Sequence, residues 1–345
     1  MPKDTRPERP APKAPRLLDR LRDAIRARNY SPRTAEAYVF WVRRFVVFHG
    51  KRHPDTMGLA EVKSFLSYLA ITRRVAASTQ NQALGALLFL YRHVLGRDLA
   101  RVDDLVRAKK PIRVPTVLTP DEIARILRHL RGFPFLAAAL MYGSGLRLME
   151  CLQLRIQDID FDRAQIVVRE GKGQKGRRTL LPAGLVGLLR EHLARLQHRH
   201  DLELRMGAGE AALPQSVARR SPNAATLWAW QWLFPASRPF NSGPGEPRSR
   251  QHLHKTAIQR AFAIAVRRSG VTKPATCHSL RHSFATHLVE ASYDIRTVQE
   301  LMGHRDVSTT MIYTQALYRG VRSVRSPLDA IPSPAPPARS LPEGN

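Results

Sequence analysis

Apolar residues recur at helical spacing through the first third of the chain. Leu17, Leu21 and Ile25 share one face. Ser31-Pro32 then supplies a cap followed by proline at the first helical position, and Tyr38, Trp41, Val42 and Phe45 continue a second helix. A third helix is expected over roughly Leu59 to Ile71 and a fourth over roughly Ser78 to Leu95. RAKKPIRVP, Arg107 to Pro115, breaks the pattern: its cations and prolines suit neither a core helix nor a central strand. Beyond it, Thr119-Pro120-Asp121-Glu122 opens another helix, and helical periodicity runs to Gly143 and resumes after Gly145. Asp158 to Phe161, Gln165 to Arg169 and Arg177 to Leu181 read as short strands, turned by Asp162-Arg163 and by the glycine-rich GKGQKG. Helix returns after Gly184, interrupted by an irregular insert over about 206–250 that is rich in Pro, Ser, Ala and Trp.

The expected organisation is a proline-rich disordered tail (1–14), a helical domain (15–106), a basic linker (107–117), a mainly helical domain with a small antiparallel sheet (118–328) and a second disordered tail (329–345). The chain has 345 residues and 43% hydrophobic content, enough for two cores. Lysine and arginine number 56 against 28 acidic residues, so the formal net charge is +28 and the expected partner is a polyanion, DNA or RNA ahead of a membrane. No apolar run reaches the roughly 18 to 20 residues of a membrane span. The basic amino-terminal segment has no apolar core behind it, so the protein is expected in the cytoplasm, at the nucleoid when bound to DNA. Cys151 and Cys277 lack partners at metal-ligand spacing, and core packing is their expected role.

Chemistry-bearing residues gather in the second domain. In His278-Ser-Leu-Arg281 the spacing puts an imidazole and a guanidinium on one helical face, with Leu280, Phe284 and Leu288 expected to bury the other. Gly143-Ser-Gly145-Leu-Arg147 places an arginine after a glycine turn at a helix start, where backbone N–H groups favour anions. Two such arginines could clamp one phosphate through bidentate contacts. Glu150, one turn further, is expected to orient an arginine or close the helix start. Lys172 sits at the tip of the inferred hairpin in a loop that is not a Walker A element. His304 follows a helix that ends at Gly303, and Ser308 caps a helix carrying Tyr313. Lys109, Lys110 and Arg113 in the linker suit a phosphate backbone, and a merely solvated linker fits their composition equally.

The order Arg, Lys, His-x-x-Arg, His, Tyr, with GSGLRLMECLQLRIQDIDF, the GKG hairpin, TCHSLRHSFATHL and DIRTVQELMGHRDVSTTMIYT around it, closely resembles the tyrosine recombinase family from about Leu17 to Leu328. The resemblance implies a helical core-binding (SAM-like) domain and an α/β catalytic domain closing as a C-shaped clamp on DNA. It also implies four copies on synapsed sites, with no metal, ATP or other cofactor. Carried over residue by residue, Tyr313 attacks the scissile phosphodiester, Arg147, His278, Arg281 and His304 donate to the non-bridging oxygens, and Lys172 protonates the leaving 5′ oxygen.

The insert text ALPQSVARRSPNA…WAWQWLFPASR…RSRQHLHKTAIQRAF is similar to the extra segment of integron integrases, whose substrates are folded single strands with protruding bases. That resemblance implies that Trp230, Pro235 and His252 grip such bases, a tryptophan face stacking on an extruded base. The plain alternative is that Trp228, Trp230 and Trp232 pack the insert against its domain. Two departures stand out: Ala211-Ala212 replaces an expected tryptophan, and Gln251-His252 replaces a histidine pair. Rival readings are a recombinase of ordinary duplex sites, a type IB topoisomerase and a non-catalytic DNA-binding regulator. The insert disfavours the first two, and the set of six chemical positions disfavours the last.

Overall fold

The computed structural model describes residues 16–99, 115–169, 176–238 and 249–303. Lys109, Lys110, Arg113, Lys172, His304, Tyr313 and both tails lie outside the described residues. Two compact units divide between Arg113 and Val114. The fold is mainly helical with a small antiparallel sheet, as the periodicity predicts.

In the first unit, α1 (Leu17–Ala27), α2 (Pro32–Phe48), α3 (Leu59–Ser67) and α4 (Ala77–His93) enclose one core. Ser31 caps α2, its Oγ accepting from Thr34 N at 3.1 Å. The third helix differs from expectation at its end, since after Ser67 the coil widens into a π-helical turn over Tyr68–Thr72. That turn keeps Leu69 buried while leaving Ile71 exposed. Buried polar groups fix the packing: Trp41 Nε1 donates to Gln82 Oε1 at 3.1 Å, and Tyr91 Oη to Pro54 O at 3.2 Å.

The second unit starts at α5 (Pro120–Arg128), whose capping box has Thr119 N donating to Glu122 Oε2 at 2.8 Å and Glu122 N to Thr119 Oγ1 at 3.2 Å. α6 (Gly132–Gly143) and the one-turn α7 (Leu148–Leu152) lead to β1 (Ile159–Asp160), β2 (Gln165–Val168) and β3 (Arg177–Leu180). These strands form the sheet β1-β2-β3 with Ile159 opposite Ile166 and Val168 opposite Arg177. α8 (Val186–Arg205) precedes the insert, and α10 (Lys255–Arg268), α11 (Cys277–Glu290) and α12 (Ile295–Met302) follow it.

The described part of the insert holds short regular elements rather than irregular chain. It contains β4 (Glu210–Ala211), α9 (Gln215–Arg220), two 3-10 turns and β5 (Ser249–Arg250), with β4 and β5 paired in parallel. Cys151 and Cys277 are buried in the core of this unit, among Leu140, Leu152, Ile166 and Leu280. Among the described residues, no helix is long and apolar enough to cross a membrane.

Candidate active site

The site is built around the turn between α6 and α7. Gly145 has φ +63°, and a Cβ there would lie 2.5 Å from Phe284 Cδ1, so both backbone sign and space demand glycine. The turn is tied to the sheet by Thr179 Oγ1, which donates to Ser144 O at 2.7 Å. That anchoring delivers Arg147 to the start of α7. Its backbone N–H donates to Glu150 Oε2 at 2.8 Å and its Nη1 to Glu150 Oε1 at 2.5 Å. The helix start is therefore not an open anion site: Glu150 occupies it and orients the guanidinium, both of the roles its spacing suggests. Arg147 nevertheless keeps 40% of its side chain exposed.

Two further arginines converge on the same carboxylate. Arg177, 8% exposed, donates from Nη1 and Nη2 to Glu150 at 3.0 and 2.6 Å and from Nε to Leu301 O at 2.9 Å. Arg281 Nη1 lies 3.6 Å from Glu150 and donates to Gly145 O, while its Nη2 donates to Met302 O at 2.5 Å. Burial pushes the Glu150 carboxyl up, but the hydrogen bonds and charge of Arg177, then the N–H and guanidinium of Arg147, outweigh it and hold the pKa at about 2. Glu150 is thus ionised at neutral pH and acts as the hub of three guanidinium groups.

α11 departs from the two-faced helix expected of it. Arg281 is only 4% exposed and lies among Ser279, Leu280, Ser283 and Phe284, all buried, while His278, one turn earlier, is exposed. Helices α6 and α12 flank α11, so little of its surface is left for solvent. Beside them His282 is held at about 4 by burial first and by the His278 and Arg281 side chains second, which keeps it neutral at pH 7. On the far side of the helix His287 Nδ1 and Tyr142 Oη share a hydrogen bond of 2.9 Å.

Sequence reasoning missed Arg177, which strand alternation leaves as one more surface cation. Its partners stand 27 and 124 residues away, beyond any local pattern. Arg155 was missed for the same reason. It is 4% exposed, donates to Trp230 O at 2.5 Å and Ala212 O at 2.7 Å, and lies 3.3 Å over the Trp232 ring. Desolvation draws its pKa down to about 10, still charged at neutral pH. His192 and His200 on α8 pair with Leu233 O and Thr226 O at 2.8 and 2.9 Å, and Arg250 pairs with Glu203 at 2.6 Å. Buried polar anchors of this kind, not apolar periodicity, order the insert.

The three base-gripping candidates separate. Trp230 and His252 are half-buried and line a cavity of about 750 Å³ with Arg155, Arg169, Arg219 and Trp232. Pro235 is buried: it bridges His252 through the backbone and lines a different, small cavity with His200 and Trp228. Trp232 is the packing tryptophan, 8% exposed with Nε1 donating to Arg250 O at 2.9 Å.

Residues 116–319 match the profile of the phage integrase family, and residues 17–101 that of the phage integrase N-terminal SAM-like domain. An "Integrase/recombinase" of Escherichia coli is 50% identical over 321 residues, covering 92% of this chain and 94% of that protein. A "Tyrosine recombinase XerA" of Thermococcus kodakarensis is 31% identical over 304 residues, covering 86% and 89%. Among solved structures, the XerH site-specific recombinase bound to palindromic difH substrate aligns with TM-score 0.59 at 20% identity, over 89% of this chain and 84% of that one. A lambda integrase dimer bound to a core site aligns with TM-score 0.56 at 18% identity, over 86% and 93%.

Proposed function

The chain belongs to the phage integrase family, the tyrosine-type site-specific DNA recombinases, and on that premise we propose that it is an integron integrase that moves gene cassettes between folded single-stranded hairpin sites. Tyr313 attacks the scissile phosphorus, forming a 3′-phosphotyrosine bond as the bond to the 5′ oxygen breaks. Lys172 gives that oxygen its proton. Arg147, Arg281, His278 and His304 donate to the non-bridging oxygens as charge accumulates on them, where fixed donors are worth most. One phosphodiester is exchanged for another, so the step conserves bond energy and reverses to rejoin strands without ATP. The linker cations Lys109, Lys110 and Arg113 follow the DNA backbone, and four copies act on a synapsed pair of sites.

The observation that carries the integron reading is the anchored insert and its groove. Its volume falls in the range of small-ligand sites, with one half-buried tryptophan, a histidine and three arginines at its wall, a composition suited to an extruded nucleotide. Trp230 and His252 are the proposed contacts, and the backbone beside His252 is held by Ala236 N–H donating to Gln251 O at 2.8 Å and Leu253 N–H to Phe234 O at 2.7 Å.

A second reading, recombination of ordinary duplex sites, is favoured by the relatives named XerA and XerC at 31% identity. Binding and recombination of one sequence presented as a folded strand and as duplex separate the two. The integron reading expects preference for the folded strand, and Trp230→Ala to weaken that binding by about 1–3 kcal/mol while sparing duplex affinity. Equal use of both forms by the unaltered protein supports the duplex reading instead.

A further inference from the structure

We infer that Arg177 is a positioning residue for strand cleavage, a side chain that ties the start of the Arg147 helix, strand β3 and the end of α12 just before His304 into one geometry. The inference rests on the catalytic roles proposed above for Arg147, Lys172 and His304.

Helix α12 ends in carbonyls that have no partner within the helix. Two of them are taken by arginines from elsewhere: Leu301 O by Arg177 Nε at 2.9 Å and Met302 O by Arg281 Nη2 at 2.5 Å. The next residue, Gly303, turns left-handed at φ +61°, and a Cβ there would lie 2.7 Å from Arg177 Cδ. The turn that leads to His304 is therefore pressed against the Arg177 side chain. The other edge of the same guanidinium grips both oxygens of Glu150, which in turn holds the backbone and side chain of Arg147. Arg177 itself opens β3, opposite Val168, and Lys172 stands between these two residues in the sequence. The planar fork meets both oxygens of Glu150 through Nη1 and Nη2 while Nε reaches the Leu301 carbonyl, a three-bond fixed geometry that the single, compact nitrogen of a lysine does not reproduce.

The test uses the full chain, with single-turnover covalent attachment to a nicked suicide substrate at saturating enzyme, binding affinity for the same DNA, and thermal melting. Arg177→Lys is expected to slow attachment about 100-fold, the scale of a misplacement near 1 Å, while affinity stays within about three-fold. Combined with Glu150→Gln it is expected to give less than the product of the two effects, because both act in one network. Attachment within about three-fold of the unaltered rate, or rate and affinity falling together, overturns the inference. If Arg177→Lys does not fold at the assay temperature, Gly303→Ala displaces the same guanidinium without removing its charge and is read by the same criteria. Tyr313→Phe in parallel keeps the two claims apart: persistent attachment there defeats the proposed chemistry, whereas loss of attachment there beside a fully active Arg177→Lys defeats the positioning role alone.

Discussion

Glu150→Gln is the sharpest perturbation of the site, because the side chain keeps its shape while it loses its charge and turns one of two acceptor oxygens into a donor facing guanidinium N–H groups. Its carboxylate is 15% exposed, meets Arg177 at 2.6 Å and Arg147 at 2.5 Å, and lies 3.6 Å from Arg281. The three guanidinium groups left behind include two that are only 8% and 4% exposed, so solvent screens them poorly. A carboxyl held at about 2 against an ordinary 4.5 contributes on the order of 3 kcal/mol to folding above pH 4.5. Breaking a buried pair from one side costs a similar 3–5 kcal/mol or so. The sign follows from the depressed pKa: the contribution is whole above the unfolded value of 4.5 and disappears as pH falls toward 2. Urea unfolding of both proteins should show a gap of about 3 kcal/mol at pH 7 that narrows steadily below pH 4.5. A gap under about 1 kcal/mol at pH 7, or one that does not change with pH, refutes the hub assigned to Glu150.

Two other predictions concern separate parts of the catalytic unit. His282, at about 4 in the fold against an ordinary 6.5, should make the protein lose stability as pH falls from about 6.5 to about 4, on the order of 3 kcal/mol, and His282→Gln should flatten that window in pH-dependent melting. Arg155→Met should release the Trp230 segment and the Ala212 strand end, seen as red-shifted tryptophan emission and new protease cleavage within residues 206–250, with duplex affinity retained; unchanged emission and proteolysis would mean that Arg155 does not anchor the insert.

The helices were readable because their caps and stripes are local: Ser31, Thr119 and the Glu150 spacing each act within one turn. So was the sheet, whose short strands follow from alternation. The burial of Arg281 was not legible, since a polar pair at i, i+3 looks the same on a surface helix as on a buried one whose guanidinium is bonded to carbonyls of other elements. The order within the insert was illegible because it comes from Arg155, His192, His200 and Arg250, each bonded to carbonyls or carboxylates at least 13 residues away. Long-range polar anchoring leaves no periodic trace.

The central claim is that one phenol makes the covalent bond to DNA while a fixed set of cationic and imidazole donors holds the phosphate. Trapping the protein on a nicked substrate measures it directly. The unaltered chain is expected to carry one DNA strand after denaturation, with the adduct mapping to Tyr313, while Tyr313→Phe binds the same DNA and carries none. An adduct on another residue, or undiminished attachment by Tyr313→Phe, contradicts the account.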